Sequence, residues 1–282
     1  MKTNNLIVND NGVPRELKKR REKFRLNRKV FSYPYMLFLL VFVVLPLVMI
    51  LVNAFLVDGQ LSLGNFGDFF TQKTSLQVLG NSLLVGLVTT LLCLIIGYPV
   101  ALILSKMDSG KILVLFFVLP MWVNFLIRTL ATKTIFESLG VSMGMGTVVF
   151  GMVYNYLPFM ILPLHTTLSN IDKSYAEAAK DLGADEVNCF LKTTLPLSVP
   201  GIISGITMVF IPTISTYAIS ELLSERTIKL FGDSISLKFN NDGAWGVGSV
   251  MSIIMLILVI VSNVLINKFS DGSTSNKGRN IW

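Results

Sequence analysis

The sequence predicts an all-α polytopic membrane protein with six transmembrane helices, and three observations carry that expectation. Of the 282 residues 52% are apolar and only 15% charged, with a mean hydropathy of +0.65, a balance foreign to soluble domains. The apolar residues gather into six stretches, each close to the roughly 20 residues that a helix needs to cross a hydrocarbon slab about 30 Å thick. Lysine and arginine fall mostly outside those stretches, and mostly on one side of them. Backbone polar groups must be paired in hydrocarbon, and the runs are too long and uniform for barrel strands, so they must be helices. The same composition excludes a disordered chain, a collagen or mucin repeat and a secreted disulfide scaffold. Cys93 within an apolar run and Cys189 beside a charged one give no disulfide framework.

In chain order, a polar leader occupies 1–32, where Arg15, Lys18, Lys19, Arg20, Arg21, Lys23, Arg25, Arg28 and Lys29 are tempered by Glu16 and Glu22. Such a run resists translocation and is drawn to the anionic headgroups of membrane lipids. The first span, 33–56, is expected to be retained. Its apolar run is too long for a signal peptide, and the cleavage-like Val52-Asn53-Ala54 lies inside it. A core at 75–267 then holds spans at 79–104, 112–132, 143–167, 199–222 and 247–267, and a polar tail at 268–282 closes the chain. With both termini in the cytoplasm, the inner segments hold 18 basic and 10 acidic residues and the outer ones 6 and 7, the bias expected of cytoplasmic segments. The net charge of +7 therefore reports topology, and no nucleic acid is needed to explain it.

Small residues mark faces where helices approach closely in lipid: Ser82, Gly86 and Thr90 in the second span, Gly144, Gly146 and Gly151 at the start of the fourth, Gly201 and Gly205 in the fifth. Pro46, Pro99, Pro120, Pro158, Pro163 and Pro212 are candidate kinks, since each removes a backbone donor and crowds the preceding turn. No internal repeat and no inverted duplication of the kind found in many secondary transporters is visible.

The inner connection at 168–198 has the chemistry of two short helices held outside the bilayer. Ser174 and Glu177 have capping-box spacing, which predicts a helix over 175–182. Gly183 suits a left-handed stop, Asp185 can cap a second helix, and Leu195-Pro196 is expected to end it at the membrane surface. Glu177-Ala178-Ala179, then three residues, Gly183, eleven residues and Leu195-Pro196 resemble the EAA signature of MetI-like permeases of binding-protein-dependent ABC importers. Thr193 stands where that family usually has isoleucine. Within 75–267, Asn124-Phe125-Leu126-Ile127-Arg128-Thr129, Asn155-Tyr156-Leu157-Pro158-Phe159-Met160 and Ile219-Ser220-Glu221-Leu222-Leu223 are similar to the PotB-type permeases of spermidine/putrescine importers. The resemblance implies that Glu177, Ala178, Ala179, Gly183, Leu195 and Pro196 form the element that sits in a groove of the ATPase. It also implies two ATPase copies, a second, PotC-like permease subunit and an extracytoplasmic substrate-binding protein.

The sequence has no G-x-x-x-x-G-K-[ST] loop to cradle nucleotide phosphates, so energy is expected from the partner ATPase and no cofactor is implied. A polyamine path needs carboxylates or aromatic faces that bind a cation without trapping it, with cation–π contacts of about 0.5–2 kcal/mol each. Candidates are Trp122, Asn124, Tyr154, Asn155, Tyr217 and Glu221. Glu221 is preferred, because an acid near a span's end is costly against lipid and sensible against an aqueous path. The aromatics equally suit interfacial anchoring. Arg128 is neutral on the sign of the cargo, since it can snorkel outward or pair with Glu137 or Glu221. The single histidine, His165, makes no metal site and suits a hydrogen-bonded packing role. No catalytic constellation appears. An oxyanion, ferric ion or other small solute remains an alternative cargo. An ion-gradient transporter is a weaker alternative, because spans two to six have almost no charge at mid-depth.

Overall fold

The computed structural model describes residues 32–57, 59–107, 109–225, 227–240 and 243–275, with side chains at 32, 111 and 269–275 left out. The basic leader through residue 31 and the tail from 276 lie outside the described residues. By contact the chain divides into residues 1–48 and 49–282. In the first, α1 (Ser32–Leu39) passes into a π-helical turn at Leu40–Val44 and then into the start of α2 (Leu45–Phe55). The turn lies just before Pro46, which has no N–H to donate, so the wider π geometry falls where the ladder is already interrupted.

In the second unit α2 ends in a two-stranded antiparallel hairpin, β1 (Leu56–Val57) with β2 (Gln60–Leu61). Next come α3 (Gly64–Thr71) and α4 (Lys73–Lys106). Asn65, on α3, donates its side-chain amide to the carbonyls of Asn53, Ala54 and Leu56 at 3.0–3.3 Å, which satisfies orphan acceptors at the end of α2. The chain continues through α5 (Gly110–Val118), a 3₁₀ turn at Leu119–Trp122, α6 (Phe125–Ser138), α7 (Met145–Ser169), α8 (Lys173–Asp181) and α9 (Glu186–Cys189). A second π turn at Phe190–Thr194 leads into α10 (Leu195–Ser215), then α11 (Ala218–Leu223), α12 (Phe231–Asn240) and α13 (Trp245–Ser275).

The core lies where α4, α7 and α10 meet and bury Cys93, Ala101, Met160, Ile161, Leu164 and Val209. Gly201 and Gly205 let α10 approach α7 closely, beside Thr167 and Met160, and Gly86 faces Ile214 in the same way, as small residues do in lipid-embedded bundles. Gly144 and Gly146 do not pack: nothing lies within 4 Å of a Cβ placed on either, and Gly144 instead precedes α7 as its N-cap. A second cluster joins Phe69, Val78, Phe231, Val250 and Met251. Ser82 accepts the Phe231 amide at 2.6 Å and ties α12 to α4. His165 is buried and shares a 3.3 Å hydrogen bond with Ser169, in keeping with a packing role.

Five described helices are long and apolar enough to cross a membrane, at Tyr33–Phe55, Lys73–Lys106, Met145–Ser169, Glu186–Ser215 and Trp245–Lys268; the bent pair Ile112–Trp122 and Phe125–Ser138 makes a sixth if taken as one span. Four expectations need correction. The third span is not one helix over 112–132 but turns through 88°. Pro120 lies in the 3₁₀ turn, Val123 is extended, and Asn124 restarts the chain as the N-cap of α6. The fifth span stops at Ser215, not 222: Thr216 is extended with ψ 149°. Pro212 lies one turn before that stop, where a missing N–H weakens the ladder. Leu195-Pro196 does not end a helix, since Glu186–Ser215 runs through it. The π turn at Phe190–Thr194 falls where the proline's donor is missing. The helix of the last span does not stop at 267, because α13 remains helical to Ser275.

Candidate coupling helix and substrate cavities

The connection after α7 forms two short helices joined at a tight corner. Asp172, not Ser174, is the N-cap of α8: its carboxylate accepts the Ser174 amide at 2.9 Å. The expected capping box is therefore replaced by an Asp cap two residues earlier, the stronger acceptor at that boundary. Asp185 caps α9 as expected, accepting the Asn188 amide at 2.8 Å. These hydrogen bonds hold both carboxyls below the usual carboxylate range. Gly183 has φ +86°. Its amide donates to the Lys180 carbonyl at 2.8 Å and the Ala184 amide to the Ala179 carbonyl at 3.0 Å, the paired bonds of a Schellman stop. The Cys189 thiol donates to the Ala176 carbonyl at 3.7 Å and fastens α9 beneath α8.

This corner offers a surface. No residue of α8 is buried; Ala176 and Ala179 are half-buried toward the bundle, while Glu177 and Ala178 face outward. Tyr175, Leu182 and Val187 are exposed, Leu182 at 90%. Apolar side chains therefore stand open to solvent beside a capped helix end. Leu195 and Pro196 stand apart from it, at the start of α10. The six signature residues therefore divide between an exposed corner and a buttress.

The six path candidates divide too. Trp122, Asn124 and Asn155 line a cavity of about 520 Å³ together with Arg128, Tyr156 and Thr216. Asn124 spends its side-chain oxygen on the Leu126 amide at 2.8 Å. Asn155 is buried and donates to the Gly151 carbonyl at 2.8 Å and the Thr129 hydroxyl at 3.4 Å, while its Oδ1 has no hydrogen-bond partner. The Arg128 guanidinium lies over the Tyr154 ring, 5.7 Å from its centroid, and its Nε and one Nη are buried without a hydrogen-bond partner. Glu137 pairs with Lys133 at 3.6 Å. Tyr154 is thus a platform for an arginine and does not line this cavity.

Tyr217 and Glu221 line a different cavity, of about 530 Å³, with Lys229 and Asp233. The break at Thr216–Tyr217 explains the split. It swings α11 away from α10, so that Thr216 and Ile219 face the first cavity while Tyr217 and Glu221 face the second. Asp233 is a functional candidate outside the apolar spans: it lies on α12, in the connection between two of them. Its carboxylate accepts the Ser220 hydroxyl and the Leu230 amide, both at 2.7 Å. Burial pushes its pKa up to about 6, the Leu230 and Ser220 hydrogen bonds oppose that rise, and the nearby Glu221 charge adds to it. The signal available in the sequence was the spacing Phe231, Ile235, Phe239, a helical apolar stripe with an acid beside it.

The family model described as binding-protein-dependent transport system inner membrane component matches residues 24–272. A spermidine/putrescine transport system permease protein, PotB, of Haemophilus influenzae is 34% identical over 263 residues, covering 82% of this chain and 92% of that protein. PotB of Escherichia coli is 31% identical over 246 residues, covering 78% and 90%. Among solved structures, a bacterial ABC transporter involved in import of the acidic polysaccharide alginate aligns with a TM-score of 0.64 at 14% identity, over 88% of this chain and 96% of that one; at such identity it supports the all-α permease fold alone. The chain belongs to the family of inner-membrane components of binding-protein-dependent transport systems.

Proposed function

We propose that this chain is the permease subunit of an ABC importer for polyamines, spermidine or putrescine, and that a separate ATPase drives it through α8. The observation that carries the coupling role is the α8–Gly183–α9 corner: capped at both helices, closed by a left-handed glycine, and exposing apolar side chains. Glu177 and Ala178 would meet the ATPase, Ala179 would seat α8 on the bundle, and Leu195-Pro196 would pass the motion into α10. The rigid contact of α10 with α4 and α7 suits conversion of a small displacement into opening on one face and closing on the other. The cargo reading draws on the PotB relatives and on an acidic, tyrosine-bearing cavity at Tyr217 and Glu221. Trp122, Asn124 and Asn155 complete the proposed path, with Tyr154 holding Arg128 beside it.

Two ATPase copies, a second, PotC-like permease and an extracytoplasmic binding protein complete the assembly in this reading, with both termini cytoplasmic. One observation favours a second cargo: the buried, unpartnered guanidinium nitrogens of Arg128 beside the first cavity suit an oxyanion. Proteoliposomes carrying the assembled transporter decide between them. ATP-dependent accumulation of labelled spermidine in the presence of the binding protein is expected. Accumulation of an oxyanion instead, or spermidine uptake that follows an ion gradient without the ATPase, overturns the proposal.

A further inference from the structure

Asp233 has a feature that its structural bonds leave unexplained. It is 8% exposed, and the two hydrogen bonds from Ser220 and Leu230 both fall on Oδ2. Oδ1 is buried and has no hydrogen-bond partner. Ser220 belongs to α11 and Leu230 immediately precedes α12, so these bonds hold the carboxylate in one orientation on the wall of the 530 Å³ cavity. A buried carboxylate oxygen is costly unless a donor reaches it. The cavity has the volume of a small-molecule site. Its other titratable or charged lining groups are Glu221, Tyr217 and Lys229, and the Lys229 side chain is exposed.

Resting on the polyamine reading, we infer that Asp233 is a substrate-binding residue: its Oδ1 accepts one N–H of a primary ammonium, Glu221 shares the charge, and the Tyr217 ring lies along the adjoining methylenes. A linear amine suits this wall better than a metal ion does. A hard divalent cation takes six or more oxygens, and among the described residues no three His, Cys, Asp or Glu side chains gather to hold one. An ammonium needs few acceptors, and a charge-assisted hydrogen bond to a fixed carboxylate beside an aromatic face provides both orientation and affinity.

The test is Asp233→Asn in the assembled transporter in proteoliposomes. Asparagine keeps the size and an oxygen for Ser220 and Leu230, removes the charge, and puts an NH₂ where the ammonium needs an acceptor. At saturating spermidine and binding protein, uptake is expected to fall about tenfold, the loss of one charge-assisted hydrogen bond, while ATP hydrolysis stimulated by the binding protein changes less than about twofold. Unchanged uptake overturns the inference, and so does a parallel loss of uptake and hydrolysis, which is the mark of a structural tie. If the variant does not assemble, the wild-type transporter supplies the answer: spermidine is expected to protect Asp233 from carbodiimide labelling read by mass spectrometry, and labelling indifferent to spermidine overturns the inference. A wild-type transporter that moves no spermidine fails at the earlier step and refutes the polyamine reading itself, before any substitution is made.

Discussion

Replacing Gly183 with alanine should loosen the corner between α8 and α9 by a predictable amount. Its φ of +86° lies in the left-handed region, which costs an L-residue about 1–2 kcal/mol. Nothing lies within 4 Å of the position a Cβ would take, so no steric term is added. The lower entropy of the unfolded alanine chain returns about 0.4–1 kcal/mol, which leaves a net cost of roughly 1 kcal/mol and about fivefold more frequent local opening. Hydrogen exchange reports this directly at the Gly183 and Ala184 amides, whose bonds to Lys180 and Ala179 measure 2.8 and 3.0 Å; in the variant the first of these is the alanine's own amide. Gly183→Asn is the control, because asparagine tolerates the left-handed region better, and its exchange should stay nearer to wild type. Exchange in Gly183→Ala equal to wild type, or slower than in Gly183→Asn, refutes the reasoning. Gly183→Leu separates backbone from docking: in the free chain it should behave like alanine. If leucine abolishes transport while alanine spares it, the space over Gly183 is filled by the ATPase in the assembly.

The parts of this fold legible in the sequence are those set by one-dimensional chemistry. Apolar length marked the spans, and Gly183 and Asp185 announced their roles because a left-handed stop and an N-cap each depend on one residue and its neighbours. What escaped depends on partners distant in the chain. The cap of α8 passed to Asp172 because its carboxylate accepts the Ser174 amide and starts the helix at Lys173, a choice that spacing alone does not decide. Pro120 and Pro196 share the dipeptide Leu-Pro, yet the chain bends through 88° beyond the first and runs on through the second. At Pro196 a π turn precedes the proline, whereas at Pro120 the chain becomes extended at Val123 and begins a new helix at Asn124. The division of the path candidates between two cavities follows from the break at Thr216, where Gly232 packs against the carbonyls of Ser215 and Thr216, a contact made from outside the span. Asp233 stands out in the folded chain because Ser220 and Leu230 share one of its oxygens and leave the other without a partner.

Further outcomes follow from the same geometry. Ala179→Glu puts a carboxylate on the half-buried side of α8, so the chain should still insert in the membrane while ATP hydrolysis no longer drives uptake; retained coupling would mean that α8 does not seat through this residue. Gly201→Ala sets a Cβ 2.6 Å from the Thr167 hydroxyl and 3.1 Å from the Pro163 carbonyl, an overpacking cost of about 1–3 kcal/mol that should lower Tm in detergent, and an unchanged Tm would show that α7 and α10 can part freely. The acids that cap α8 and α9 should respond to pH with the opposite sign from Asp233. Asp172 and Asp185 have pKa values lowered by the amides they cap, so their contribution is complete above the ordinary carboxylate value and is lost as pH falls through the lowered one. Exchange at the Ser174 and Asn188 amides, corrected for intrinsic rates, should therefore be flat near neutrality and accelerate only in strong acid. Asp233, raised to about 6 by burial with Glu221 nearby, binds its proton more tightly folded than unfolded, so its contribution grows as pH falls through 6 toward the ordinary value. With Glu221, Tyr217 and Lys229 the groups facing it in that cavity, α12 should become more protected in mild acid while the coupling corner does not change. If both regions soften together near pH 6, the assignment of the rise to Asp233 fails, because a single shared titration would then govern both.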